Sequence, residues 1–239
     1  SSRLVGRADL IAALAQRMGP HRCITVVGTG GIGKTTVALA LAERLLDGYS
    51  DGARFIDLSS LGEAALVPQA LASVLGVAVS LDDPLPGLVE QLAGARMLLV
   101  FDNCEHVVDA VAGLAEHLLV RLPSVDILAT SREALRIRGE WVQRLESLEA
   151  PPAPALGAAP LTGAQAMVWP AVQLFAARCA AAVDGFEIDD GNAALAADIC
   201  RRLDGIPLAI ELAAGRVGEF GLKGLASLLD DRLRPLARG

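Results

Sequence analysis

The run Gly28-Thr29-Gly30-Gly31-Ile32-Gly33-Lys34-Thr35-Thr36 constrains this chain more than any other feature of it. It fills the pattern G-x-x-x-x-G-K-[ST] completely, and such a loop works only between a strand and a helix. Both flanks fit. Cys23-Ile24-Thr25-Val26-Val27 is apolar and β-branched, which reads as a buried strand, and residues 37–46 are rich in Ala and Leu, which reads as a helix. Glycines let successive backbone N–H groups turn inward around phosphate oxygens, and the helix N-terminus adds partial positive charge. The chain has 21 Lys and Arg, yet its only lysines are Lys34 and Lys223. Lysine at 34 therefore marks a place where a compact ammonium reaching the β- and γ-phosphates is preferred to a planar guanidinium.

Further apolar runs recur between helical stretches. Residues 54–58, 97–102 and 125–130 read as strands and 141–145 as a fifth, while 64–75, 85–92 and 107–122 carry helical periodicity. Continuous apolar strands alternating with helices predict a parallel sheet covered on both faces, an α/β fold of the phosphate-loop NTPase type. Around Glu149 the texture changes. Ala150-Pro151-Pro152-Ala153-Pro154 and the residues up to Pro160 form neither a regular helix nor a central strand. Beyond them the pattern is helical only. Pro170 opens a helix over 171–183, Asp189 or Asp190 caps one running to Leu203, Gly205 ends it, Pro207 starts the next over 208–217, and a last one covers 222–233. The expected organisation is a nucleotide-binding domain at 1–149, a Pro/Ala-rich linker at 150–164 and a small all-α subdomain at 165–239. Ser1-Ser2 and the abrupt C-terminus read as the ends of a piece cut from a longer protein.

Composition narrows the function. No stretch approaches eighteen strongly apolar residues and no secretion signal opens the chain, so membrane insertion and export are not expected. Net charge is −7, and aromatics are only 3% of the residues. Both disfavour nucleic-acid binding by this segment. Cys23, Cys104, Cys179 and Cys200 lack metal-ligand spacing and read as small buried hydrophobes in a reducing cytoplasm.

A phosphate loop needs a partner carboxylate for its metal ion. Asp102 ends a strongly apolar strand at the carboxyl edge of the sheet, where such ligands gather. Thr35 and Asp102 are the expected Mg²⁺ ligands, Lys34 the bridge over the outer phosphates, and the amides of Gly33 and Thr36 holders of the inner ones. Thr130-Ser131-Arg132 follows the next strand, where Arg132 is placed either to reach a γ-phosphate or to sit solvated at a strand end.

Taken in order, these motifs resemble the NB-ARC or AP-ATPase branch of the signal-transduction ATPases with numerous domains (STAND). The bacterial versions in antibiotic regulatory proteins and large LuxR-type transcriptional regulators are the most similar. Leu4-Val5-Gly6-Arg7-Ala8-Asp9-Leu10 resembles the opening V-G-R-E-x-E-L motif. Leu98-Leu99-Val100-Phe101-Asp102-Asn103-Cys104-Glu105-His106 resembles the metal-binding strand in its L-D-N-C-E-H version. Leu128-Ala129-Thr130-Ser131-Arg132-Glu133 resembles the first sensor, and Gly205-Ile206-Pro207-Leu208-Ala209 the G-L-P-L-A motif.

The resemblance implies an ATP/ADP switch with Mg²⁺. It implies that Val5 and Arg7 line the adenine and ribose end, Arg132 senses the γ-phosphate, and Pro207 and Leu208 of an ARC1-like subdomain close over adenine. It also implies further domains of the full-length chain, for DNA binding or sensing, and ATP-dependent self-association. Ala8 stands where Glu is usual, and Asn103 where many relatives carry a second Asp. A carboxylate there accepts a proton from the attacking water, whereas an amide only orients it; Glu105 is either a substitute for that acid or an acid of the kind common at helix starts, and slow hydrolysis is expected. A turnover ATPase or kinase, or a scaffold that binds nucleotide only for stability, are the competing readings.

Overall fold

The computed structural model describes residues 4–80, 83–157 and 159–233. Ser1-Ser2 and the chain end at 234–239 lie outside the described residues. Two compact units divide the chain. One spans Arg7–Leu145, and the other comprises the described residues before Arg7 and after Leu145.

The first unit holds a five-stranded sheet. Its strands are β1 (Cys23–Val27), β2 (Ala53–Asp57), β3 (Met97–Asp102), β4 (Val125–Ser131) and β5 (Glu140–Arg144), in spatial order β2-β3-β4-β1-β5. Every pairing is parallel. This is the expected α/β class. β1 and β3 are buried at every position, as strands covered on both faces must be. On one face Leu99, Phe101, Ile127 and Ala129 pack with α3 (Val67–Leu75), α4 (Leu85–Leu92) and α5 (Val108–Arg121) through Leu71, Leu88, Leu114 and Leu118. The alternate residues Ile24, Val26, Leu98, Val100 and Leu128 are equally buried. The helix α2 (Lys34–Leu45) covers that second face against β1, β3 and β4, with α1 (Ala8–Met18) packed on it.

The α1 helix was not expected from the sequence. Its buried residues Ile11, Leu14 and Met18 fall on one helical stripe. The helix expected at 64–75 begins as a 3-10 turn, Ala64–Leu66, because Pro68 lies in the first turn of α3 and suits only that position.

The second unit is helical: α6 (Gly163–Ala166), α7 (Pro170–Ala182), α8 (Ala193–Arg202), α9 (Pro207–Ala214) and α10 (Val217–Leu233). Thr162 and Gln165 form a capping box at the start of α6. Its core gathers Leu148, Val172, Phe175, Cys179, Ile199, Cys200 and Ile210. Buried alanines (Ala193, Ala196, Ala197, Ala214) let these helices approach closely.

Asn192 precedes α8 as its N-cap residue. Of the two expected caps, Asp189 accepts from the amides of Gly191 and Asn192, each at 2.9 Å, in the turn just before it, and Asp190 accepts from the Gly163 amide at 2.8 Å. The backbone of α10 is non-helical at Gly221 (φ 63, ψ 171), so the helix expected at 222–233 follows that break and a short helical stretch from Val217 precedes it. Gly205 lies in the turn between α8 and α9 with φ +64, and a Cβ there would lie 2.0 Å from the Leu148 carbonyl oxygen. Only glycine fits between α8, α9 and that strand of chain.

Candidate functional site

The phosphate loop leaves the buried end of β1 and enters α2 through Gly33, whose φ of +92 lies in the left-handed region. No side chain caps α2, and its first turn holds no acidic residue. Its leading N–H groups and positive dipole end are thus kept for an anion. Lys34 is buried, with Nζ donating to the carbonyls of Gly28 and Thr29 at 3.0 and 3.1 Å. The ammonium therefore sits inside the curl of the loop, held by the loop's own backbone.

Asp102 faces that loop. Thr35 Oγ1 donates to its carboxylate, with 2.9 Å to each oxygen. Thr130 Oγ1, from β4, donates to Oδ1 at 2.5 Å. Because β4 lies between β1 and β3, a threonine at its end is the residue able to bridge the loop strand and the Asp102 strand. Asn103 follows with φ 61, a left-handed conformation that Asn tolerates better than most residues. That turn aims its amide back at the carboxylates. Asn103 Nδ2 donates to Asp102 Oδ2 at 3.0 Å and to Asp57 Oδ1 at 3.2 Å, while its backbone N–H donates to Thr130 Oγ1 at 3.0 Å.

Asp57 is the member that sequence reasoning missed. It ends β2 directly opposite Asp102 in register. The Ser59 amide, donating to it at 2.9 Å, holds its carboxyl below the usual range, and Asn103 acts in the same direction. The available signal was a second strand ending in a carboxylate, and strand register alone brings the two together.

Arg132 lies at the rim. Its Nε is 3.4 Å from Glu105 Oε1, and a Cβ built on Gly30 would be 3.8 Å from its Nη2. Arg7 is buried and donates from Nη2 to the Ile32 carbonyl at 3.1 Å, tying the start of α1 to the loop. Burial lowers its pKa from the ordinary arginine value. The structure thus brings Gly28 through Thr36, Arg7, Asp102, Asn103 and Arg132 together in the sheet unit. The other expected nucleotide contacts belong to the helical unit: Val5 packs against its core, Pro207 opens α9, and Leu208 on α9 is half exposed. Among the described residues no group of three or more His, Cys, Asp or Glu is placed to hold a metal ion. The candidate donors are instead one hydroxyl and one carboxylate, Thr35 and Asp102, a hard-oxygen pair suited to Mg²⁺ when phosphate and water complete the shell.

Fold and site together define the class, a phosphate-loop ATPase fold with an added helical part. No family model matches the chain. It is 39% identical over 232 residues to a protein of Mycobacterium tuberculosis whose name assigns it to the HTH-type transcriptional regulators, an alignment covering 95% of this chain and 23% of that one. It is 32% identical over 237 residues to an uncharacterized protein of the same species, covering 98% and 55%. To regulatory protein AfsR of Streptomyces griseus it is 29% identical over 141 residues, covering 53% and 14%. The chain thus spans between about a quarter and about half the length of the first two relatives.

Among solved structures it resembles the ORC2 protein of Aeropyrum pernix, with TM-score 0.59 and 12% identity, covering 97% of this chain and 70% of that one. A STAND protein of Pyrococcus horikoshii with a tetratricopeptide repeat sensor gives 0.55 and 14%, covering 88% and 29%. A Walker-type ATPase of Pyrococcus abyssi gives 0.53 and 14%, covering 98% and 73%. At such identities the likeness is one of fold. Among the described residues no helix is long and apolar enough to cross a membrane.

Proposed function

We propose that this chain is the ATP/ADP-binding switch domain of a larger cytoplasmic regulator, of transcription to judge by the names of its relatives, built as in the NB-ARC branch of the STAND ATPases. The observation that carries the reading is the contact of Thr35 Oγ1 with both oxygens of Asp102 at 2.9 Å, at the mouth of a complete phosphate loop. Hydroxyl and carboxylate are where Mg²⁺ would be held, and Mg²⁺, when bound, offsets the charge of the β- and γ-phosphates. Lys34, already inside the loop, exchanges its two carbonyl partners for phosphate oxygens. The free amides of the loop and of the first turn of α2 take the remaining oxygens.

Slow hydrolysis follows from where the polar groups are committed. The Asn103 amide is spent on Asp57 and Asp102, and the Glu105 carboxylate on Arg132. The amide is thereby engaged elsewhere than in orienting a water, and the glutamate is paired with a cation and so is not presented as a ready base in line with the γ-phosphate. Such a site suits long-lived nucleotide states better than turnover. Arg132 would distinguish ATP from ADP. Val5, Arg7, Pro207 and Leu208 would contact the nucleoside end, coupling the helical subdomain to the state of the nucleotide. The chain passes from one unit to the other at residues 145–146, so the Pro/Ala-rich stretch at 150–164 would lead into the helical subdomain.

The test is calorimetry of the ligand-stripped chain with ATP and ADP in Mg²⁺, together with identification of any nucleotide released on denaturing the purified protein. Submicromolar binding of both nucleotides with hydrolysis slower than about one per minute is expected, well below the common enzyme range. A folded chain that binds neither nucleotide refutes the reading, and fast turnover replaces the switch by an enzyme.

A further inference from the structure

The guanidinium proposed above to read the γ-phosphate is held from one side only. Arg132 Nε pairs with Glu105 Oε1 at 3.4 Å. Among the described residues its terminal nitrogens donate to no protein acceptor, and Nη2 lies over the phosphate loop at Gly30. An arginine whose Nε edge is drawn to a carboxylate has that edge directed while its two-pronged end stays open, the arrangement a phosphate group needs.

The glutamate is the fixed partner. Its side chain is 25% exposed against 68% for Arg132. It stands on the 3-10 turn Cys104–His106, seated by the buried Cys104, whose Sγ lies 3.4 Å from the Phe101 carbonyl oxygen. A second observation marks this carboxylate. Glu105 Oε2 is buried and has no hydrogen-bond partner among the described residues. A carboxylate with one oxygen withdrawn from water and unsupported by a donor depends on its single cation.

We infer that Glu105 is a positioning residue that orients Arg132 over the phosphate loop and so sets the preference of this site for ATP over ADP. The inference rests on the reading of Arg132 as the γ-phosphate sensor. Releasing Glu105 leaves the long arginine side chain to sample its rotamers, and the ordering then has to occur on binding. That lowers ATP affinity by about 3- to 10-fold, whereas ADP, which has no γ-phosphate, is indifferent.

The experiment is a double-mutant cycle on the 239-residue chain. ATP and ADP affinities are measured in Mg²⁺ for the wild type, Glu105→Gln, Arg132→Ala and the double variant. The expected result is a 3- to 10-fold loss of ATP-over-ADP preference in Glu105→Gln, unchanged ADP affinity, and no further effect of Glu105→Gln once Arg132 is alanine. An unchanged or increased preference in Glu105→Gln overturns the inference, the second because Glu105 would then withhold the arginine. So does a parallel loss of ADP binding, or a Glu105 effect that persists without Arg132. If Arg132→Ala itself keeps full discrimination, the sensor reading fails first and this inference with it.

Discussion

Thr130 and Asp102 are joined by a 2.5 Å hydrogen bond across neighbouring strands, both side chains buried. The same hydroxyl oxygen accepts from the Asn103 backbone N–H at 3.0 Å. One side chain thus fixes the carboxylate expected to hold the metal and the turn that leaves it. Thr130→Val keeps the shape and removes both bonds, leaving a buried N–H and a carboxylate oxygen short of a partner. The expected cost is about 1–3 kcal/mol in urea unfolding, with weaker Mg²⁺-nucleotide binding, and Thr130→Ser should restore most of both.

Asn103→Asp tests whether a second acid after Asp102 would be tolerated. The amide now donates to Asp57 and Asp102. A carboxylate in its place turns two attractions into two like-charge contacts, so its pKa in the folded state rises above the unfolded value. A group raised in this way contributes stability below its unfolded pKa and loses it as pH rises through its folded pKa. The variant is expected to unfold about 1–3 kcal/mol more easily than wild type at pH 7. The deficit should shrink as pH is lowered towards 4, and Mg²⁺ should reduce it at neutral pH. A constant deficit from pH 4 to 8 would show that charge is not the cause.

Much of this site could be read directly from the chain. β1, β3 and β4 are continuous apolar runs, and the loop and Asp102 follow from where those runs stop. What resisted reading was relational. Asp57 enters the site through register opposite Asp102, and no local pattern encodes register. The strand itself was expected one residue later, at 54–58, which makes Asp57 an interior position. Asn103 looked like an orienter of water because its left-handed backbone, which turns the amide back on the carboxylates, is not visible from residue type. In the helical unit, Pro207 marks its helix correctly because proline fixes a helix start. The gap between the helices expected at 208–217 and 222–233 holds the non-helical Gly221, since glycine at a helix junction is legible as punctuation.

All four cysteines are free and buried. Burial pushes the thiols of Cys23, Cys179 and Cys200 up to about 12, and the Cys104 thiol also up. In the unfolded chain a thiol titrates near ~8.5. Folding therefore favours the protonated form, and the stability it brings is complete below about pH 8.5 and declines as pH rises towards the folded values. The native protein should react slowly with a disulfide reagent at pH 8 and fully after denaturation, and its urea midpoint should fall between pH 8 and pH 10. Rapid labelling of any one thiol in the native state would show that its segment opens locally.

Gly205→Ala should unfold the helical unit. The new methyl would sit 2.0 Å from the Leu148 carbonyl oxygen, at a φ of +64 that alanine resists. Leu148 N–H also donates to the Gly205 carbonyl at 2.9 Å, so the two segments cannot separate without losing that bond. A cost of about 3–5 kcal/mol in chemical unfolding is expected. Gly215→Ala is the control, since its φ of −61 is helical and a Cβ there finds only ordinary contacts, the nearest at 3.5 Å.

Lys34→Arg carries the sharpest contrast between charge and shape. Arginine fills nearly every other basic position in this chain, so charge alone would make the exchange harmless. The ammonium, however, is buried inside the loop between two carbonyls at 3.0 and 3.1 Å. A guanidinium is wider, planar and fixed in its fork, and to fit it must either push the loop open or leave by its mouth. Either movement takes the charge away from the place where the β- and γ-phosphates would lie. ATP affinity should therefore fall by about 100-fold, the loss of two charge-assisted hydrogen bonds, and Lys34→Ala should be no worse. Circular dichroism of both variants should match wild type, because the loop lies at the edge of the sheet rather than in its core. Retention of tight nucleotide binding by Lys34→Arg would mean that positive charge near the loop is sufficient and that the seat of the ammonium is irrelevant.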